Sequence, residues 1–205
     1  APRNREEQTL FEAGLSSLHE WYSHPFTHVL LVTTKLPKGA AYSNTHAYHE
    51  RGWCHMEHRL ASLVKNDRCF WDLSAYKGAN RFDDLWRQMR VGRAPMTSPE
   101  QVGHELREGV ASHKLFFSYV ADLEVVIDQY RRGFARAFES FKKIKRDGQI
   151  SHHDLGWGSA EVPLIAEALK YVDKHCEVQG MLQLHMFNGN HFSEQDWATL
   201  KASVK

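Results

Sequence analysis

The chain has 205 residues, 42% hydrophobic and 12% aromatic, enough apolar surface to close one good core or two small ones that share an interface. With 26 Lys and Arg against 25 Asp and Glu and no long run of one sign, it lacks the electrostatic footprint of a nucleic-acid binder. The longest apolar run, Val29-Leu30-Leu31-Val32, is far short of the roughly 20 residues that span a bilayer, so no membrane insertion is expected.

Between Arg5 and Tyr22 the residues Leu10, Phe11, Leu15, Leu18 and Tyr22 recur at helical spacing, which predicts one amphipathic helix ended by His24-Pro25. Thr27 to Thr34 is β-branched and apolar on both faces, the pattern of a strand buried inside a sheet. After a loop around Pro37 and Gly39, a helix is expected from Glu50 to Lys65 with Trp53, Met56, Leu60, Leu63 and Val64 inward, then a short strand over Cys69 to Leu73. That order belongs to a parallel sheet with helical crossovers.

Phe82 to Met89 reads as a short helix, and Ser98-Pro99-Glu100-Gln101 supplies a cap, a first-turn proline and a capping-box glutamine for another that runs to about Val110. Asp122 can cap a long helix with the stripe Val125, Val126, Tyr130, Phe134, Phe138 and Phe141; this helix is expected to lie between the two halves of the chain and bury both. Asp147-Gly148 marks a turn and a boundary. Beyond it come a helix over Ala160 to Val172, the alternating strand-like run Met181 to Met186, and a final helix from Phe192 to Val204.

The most specific local feature is Tyr48-His49-Glu50-Arg51-Gly52-Trp53-Cys54-His55-Met56-Glu57, at the start of a helix that follows a strand and a polar loop. It resembles the Trp-Cys-x-x-Glu segment of Toll/interleukin-1-receptor-type (TIR) domains. It is more similar still to the Tyr-x-x-Arg-Gly-Trp-Cys-x-x-Glu signature of uncharacterised algal and protist proteins, over residues 5 to 75. The resemblance implies a flavodoxin-like sheet with this segment on the helix after the third strand. In TIR domains that cleave nicotinamide dinucleotides the matching glutamate is the catalytic acid, which implies that role for Glu57. A carboxylate there can stabilise positive charge developing on a ribose as a glycosidic bond breaks. Such a site also uses the first strand and its loop; with one helix ahead of the strand that would be the third, the pocket is expected to lack a wall. In the competing structural role, Trp53 and Cys54 pack the helix on the sheet while Glu57 pairs with Arg51, His58 or a helix dipole.

Fourteen histidines include His46, His49, His55 and His58 around this motif, but their spacing with Cys54 and Glu57 matches no established zinc pattern. No glycine-rich phosphate loop or serine-centred nucleophile elbow occurs, and Cys54 beside His55 is not a catalytic pair, because adjacent helical residues point in different directions. No cofactor is expected. Cys54, Cys69 and Cys176 are too few for a disulfide framework, so free thiols in a reducing intracellular compartment are expected, with organelle import open. Towards the C-terminus, Glu161-x-x-Leu164 to Leu169, Leu182-x-Leu184 and Asn188-Gly189-Asn190 resemble the helix, strand and asparagine turn of a leucine-rich repeat, at most one and a half units of it.

The expected architecture is α/β: a TIR-like, partly flavodoxin-like segment over 1–80, a helical segment over 81–148 and a leucine-rich-repeat-like segment over 149–205. The truncated sheet and incomplete repeat point to a protein-binding scaffold or accessory subunit of a larger assembly. The rival is a nucleotide glycohydrolase using Glu57.

Overall fold

The computed structural model describes residues 3–39, 41–42, 44–90, 92–144, 149–178, 183–186 and 188–204. The first predicted helix is two, α1 (Arg5–Ser16) and α2 (Leu18–Ser23). The hydroxyls of Ser16 and Ser17 turn back on the carbonyls of Ala13 and Gly14, a competition with the helix ladder that accounts for the break at Ser17.

β1 (Val29–Leu31) and β2 (Phe70–Asp72) run parallel, with Leu30 beside Trp71 and α3 (Gly52–Val64) in the connection between them. Val29, Leu31 and Phe70 pack with Ala61 of α3 on the inner face. The expectation of burial on both faces is corrected on the outer one. Leu30 is 53% exposed and Val32 61%, because among the described residues no second helical layer covers β1 there. Trp71 shares that face and meets Phe82 of α4 (Phe82–Met89), ring centroids 5.9 Å apart. An antiparallel bridge from Trp71 to Arg90 closes the far edge of β2, while among the described residues no further strand pairs with β1.

α5 (Pro99–Ala111) begins as its sequence suggests, with the Gln101 amide donating to the Ser98 hydroxyl at 3.2 Å. α6 (Asp122–Ile144) then crosses α2 and α3. The crossing is close at Gly133, where a Cβ would lie 2.7 Å from Leu60 and 3.1 Å from His19, so a residue without a side chain is required there. Val126, Tyr130, Phe134, Phe138 and Phe141 are buried, but Val125, one position off the stripe, is 41% exposed. One contiguous apolar cluster joins Met56 and Leu60 of α3, this stripe, and Ile150, Ile165, Leu169 and Leu200.

β3 (Gln149–Ser151), which the sequence pattern does not announce, pairs in parallel with β4 (Gln183–His185), and α7 (Val162–His175) lies between them in sequence. Ser193 and Asp196 form a capping box for α8 (Glu194–Lys201). The Asp147-Gly148 boundary, and Met181 and Leu182 of the run read as a strand, lie outside the described residues. Among the described residues no helix is long and apolar enough to cross a membrane.

Candidate functional site

The motif at the start of α3 is tied down residue by residue. The Gly52 amide donates to the Phe116 carbonyl at 3.0 Å and the Phe116 amide to the Glu50 carbonyl at 2.8 Å, so Arg51 and Phe116 form a short parallel bridge. A Cβ on Gly52 would sit 2.0 Å from the Phe117 ring. Any side chain at this position would have to displace the Phe117 ring. Arg51 Nε donates to the His46 carbonyl at 2.9 Å, and the His46 ring stacks on Phe116 with centroids 3.7 Å apart. Trp53 is half-buried, and its Nε1 donates to Asp122 at the start of α6, 3.0 Å away. Its packing thus joins α3 to the helical core and not to the sheet, which corrects the expected role.

Glu57 lies one turn along from Trp53 on the same side of α3, and the group that engages it is the Tyr22 hydroxyl, in place of the expected Arg51 or His58. Burial pushes the Glu57 carboxyl up to about 7, with the Tyr22 hydrogen bond pulling the other way. Tyr48 completes the cluster. Its hydroxyl donates to the Cys54 carbonyl at 3.4 Å, and burial, with the nearby Cys54 and Glu57, raises its phenol far out of the physiological range. Burial and Glu57 together push the Cys54 thiol up to about 11. At neutral pH it stays protonated and is a poor nucleophile.

Tyr48 also stands in the wall of a cavity of about 700 Å³ formed by residues of the loop after β1, from Val32 through Tyr42 to Arg51; Glu57 is not among its lining residues. The cavity lies beyond the carboxyl end of a parallel strand, where ligands of open α/β sheets bind. The structure thus brings Tyr48, Cys54 and Glu57 together and directs Arg51, Gly52 and Trp53 to other neighbours. Tyr22 and Asp122 were missed by sequence reasoning. Each lies far along the chain from the motif, in a helix whose periodicity advertises only packing.

The two histidines one turn apart do not converge. His55 faces Glu105 at 3.7 Å, and the His58 ring packs against Phe70 with centroids 5.2 Å apart. Burial lowers His58 to about 4, so the ring is neutral. Burial alone would raise Glu105, but His55 and Arg59, the latter at 2.8 Å, outweigh it and hold the carboxyl below its usual value. Among the described residues no group of three or more His, Cys, Asp or Glu is placed to hold a metal ion.

No family model matches the chain, and comparison with curated proteins and with solved structures finds no match either.

Proposed function

We propose that this chain is a protein-binding scaffold or accessory subunit held in a larger assembly, without a catalytic role. The observation that carries this reading is the outer face of β1, where Leu30 and Val32 are left 53% and 61% exposed on a parallel sheet, a structure normally covered on both faces. The unit β1, α3 and β2 is read as a fragment of a TIR-like, flavodoxin-type sheet. The unit β3, α7 and β4 with Asn190 is read as a leucine-rich-repeat-like end, a form that gains stability from neighbours. The test is capture from the native source with the wild-type chain and Leu30→Glu as paired baits. A stoichiometric partner retained by the first and lost by the second is expected; equal recovery by both overturns the reading.

A second reading, glycosidic cleavage of a nicotinamide dinucleotide with Glu57 as the acid, is favoured by one observation. A carboxyl raised to about 7 by burial, in the neighbourhood of Tyr48, which lines a cavity that Glu57 itself does not, is poised for proton transfer at neutral pH. Released nicotinamide from the wild-type chain, and none from Glu57→Gln, would support it. Absence of turnover, or equal turnover in both, removes it.

A further inference from the structure

We propose that the cavity past β1 is a binding site for a small phosphate monoester that carries a planar ring. The proposal goes beyond both readings above, since it needs neither a protein partner nor bond cleavage by Glu57, which does not line the cavity. At about 700 Å³ the cavity has the size of a small-molecule site.

Its wall holds three cations, Lys35, Lys38 and Arg51, against one carboxylate, Glu50. That carboxylate is already engaged: Glu50 Oε2 accepts from the Ala47 amide at 2.8 Å and lies 3.9 Å from the His46 ring. None of the three cations forms an ion pair among the described residues. Arg51 uses its Nε on the His46 carbonyl, which fixes the guanidinium and leaves its two terminal nitrogens for a ligand. A wall of this charge calls for an anion. Cations outnumber carboxylates by two, and a phosphate monoester carries a charge of about −1.5 to −2 near neutral pH, where a carboxylate carries only one.

The anion has to be held by side chains, because the Thr33 and Thr34 amides at the end of β1 already donate to Ser74 Oγ at 2.6 and 2.9 Å. An arginine fork that grips two phosphate oxygens, with lysines as point charges beside it, is suited to that task. The ring is called for by Tyr42 and Tyr48, which line the same cavity. Tyr48 directs its hydroxyl to the Cys54 carbonyl, so its aromatic body is what remains for a ligand, and such a ring pairs best with another planar group. A second basic hollow, of about 790 Å³ and lined by Lys77, Arg81 and Arg87, also contains Asp84, a carboxylate that no other described residue engages. That hollow is the control.

Isothermal titration of the full chain with phenyl phosphate, inorganic phosphate and benzoate separates the two features. Phenyl phosphate should bind at least about tenfold more tightly than either of the others. Lys35→Gln combined with Lys38→Gln, both at exposed positions and with an unchanged circular dichroism spectrum, should weaken phenyl phosphate at least about tenfold. Tyr42→Ala should weaken it about threefold to tenfold and leave inorganic phosphate unchanged. Lys77→Gln combined with Arg81→Gln should change none of these. Failure of phenyl phosphate to saturate the chain at millimolar concentrations overturns the proposal. So does inorganic phosphate or benzoate binding as tightly as phenyl phosphate, or an equal loss from the Lys77 and Arg81 pair, which would reduce the effect to diffuse attraction by surface charge. Phenyl phosphate has no glycosidic bond and is no protein, so its binding is read separately from dinucleotide cleavage and from partner capture.

Discussion

The chain contains two parallel strand pairs with a helix between them in sequence, and they are finished in opposite ways. In the β3–β4 unit, side chains take up the backbone polar groups beyond the strands. Asn190 Nδ2 donates to the carbonyls of His152 and Met186 at 2.7 and 2.8 Å, and its Oδ1 accepts from the amides of Leu155 and Trp157 at 3.3 and 3.1 Å. Arg93 bridges the Lys65 and Ser151 carbonyls, and Arg90 reaches those of His153 and Asp154. In the β1–β2 unit Ser74 Oγ accepts from the Thr33 and Thr34 amides past β1, but the loop beyond opens into a cavity, the outer face is bare at Leu30 and Val32, and a raised carboxyl is kept inside at Glu57. The closed unit has the carbonyls and amides beyond its strands held by Asn190, Arg90 and Arg93; the open one leaves apolar surface for something else to cover.

What the two units share is α6, and the largest expected effect comes from there. Phe134 is fully buried, with ring centroids 4.9 Å from Phe138 and 5.4 Å from Tyr171 of α7, while its neighbour Gly133 touches Leu60 of α3. Phe134→Asp places an unpaired carboxylate in that contact and should cost about 5 kcal/mol or more, on the scale of the whole stability of a domain. Circular dichroism and tryptophan fluorescence should lose both units in one coincident denaturant transition. Two separate transitions, or a stable fragment from limited proteolysis, would show that the units fold independently.

Next in size is Asn190→Ala, which breaks the comparison from the closed side. Four backbone groups lose their partner at once, for an expected cost of about 2 to 4 kcal/mol. Hydrogen exchange should locate the loss. Protection should fall at the Leu155 and Trp157 amides and persist at those of Val29 to Leu31. Equal loss in both places would mean that Asn190 supports the whole fold and not its own unit.

Each unit also holds a titratable group shifted by burial, and these two, His152 and Glu57, act in opposite directions on the pH scale. His152 is fully buried; burial first, and the Arg93 cation second, hold it well below its usual value of 6.5. Its contribution to stability is present above that pH and is lost as the pH falls and the unfolded chain takes a proton the folded one refuses. Glu57 is the reverse: its pKa rises from 4.5 to about 7 on folding. That contribution is complete below 4.5 and disappears as the pH climbs to about 7, above which the folded state carries a half-buried carboxylate. Glu57→Gln should therefore leave stability unchanged near pH 4 and raise it by about 2 kcal/mol near pH 8. A gain that is flat with pH would place the Glu57 carboxyl in water.

The sequence was legible where a pattern is local. The stripe Val126 to Phe141, the Ser98 cap and the parallel order of β1, α3 and β2 follow from periodicity, a serine before a first-turn proline and an apolar run, all set by near neighbours. It was illegible where distant segments decide. Gln149–Ser151 becomes a strand through pairing with Gln183–His185, and Trp53 turns to α6 because Asp122 offers its indole an acceptor. The apolar run at β1 was read as buried on both faces for a related reason. Composition reports that a strand can be covered twice, and the rest of the fold decides whether it is. At the site, Glu57 stood out from its motif, but Tyr22, which fixes its environment, belongs to a helix that shows only a packing face.

The smallest expected effect is the sharpest test of the open side. Lysine placed at Val32 lands on a side chain that is already 61% exposed and that belongs to neither of the buried apolar clusters. Burial lost there is slight, and a lysine stem can lie along the neighbouring apolar surface with its ammonium in water. Val32→Lys should thus shift the unfolding free energy of the monomer by no more than about 0.5 kcal/mol. The same change at Ile150, the central and fully buried residue of β3, has no such exit and should unfold the chain. Chemical denaturation of the two variants makes the comparison directly. If Val32→Lys costs as much as a core substitution, the outer face of β1 is already covered from within the chain, and the contrast between the open and closed units collapses.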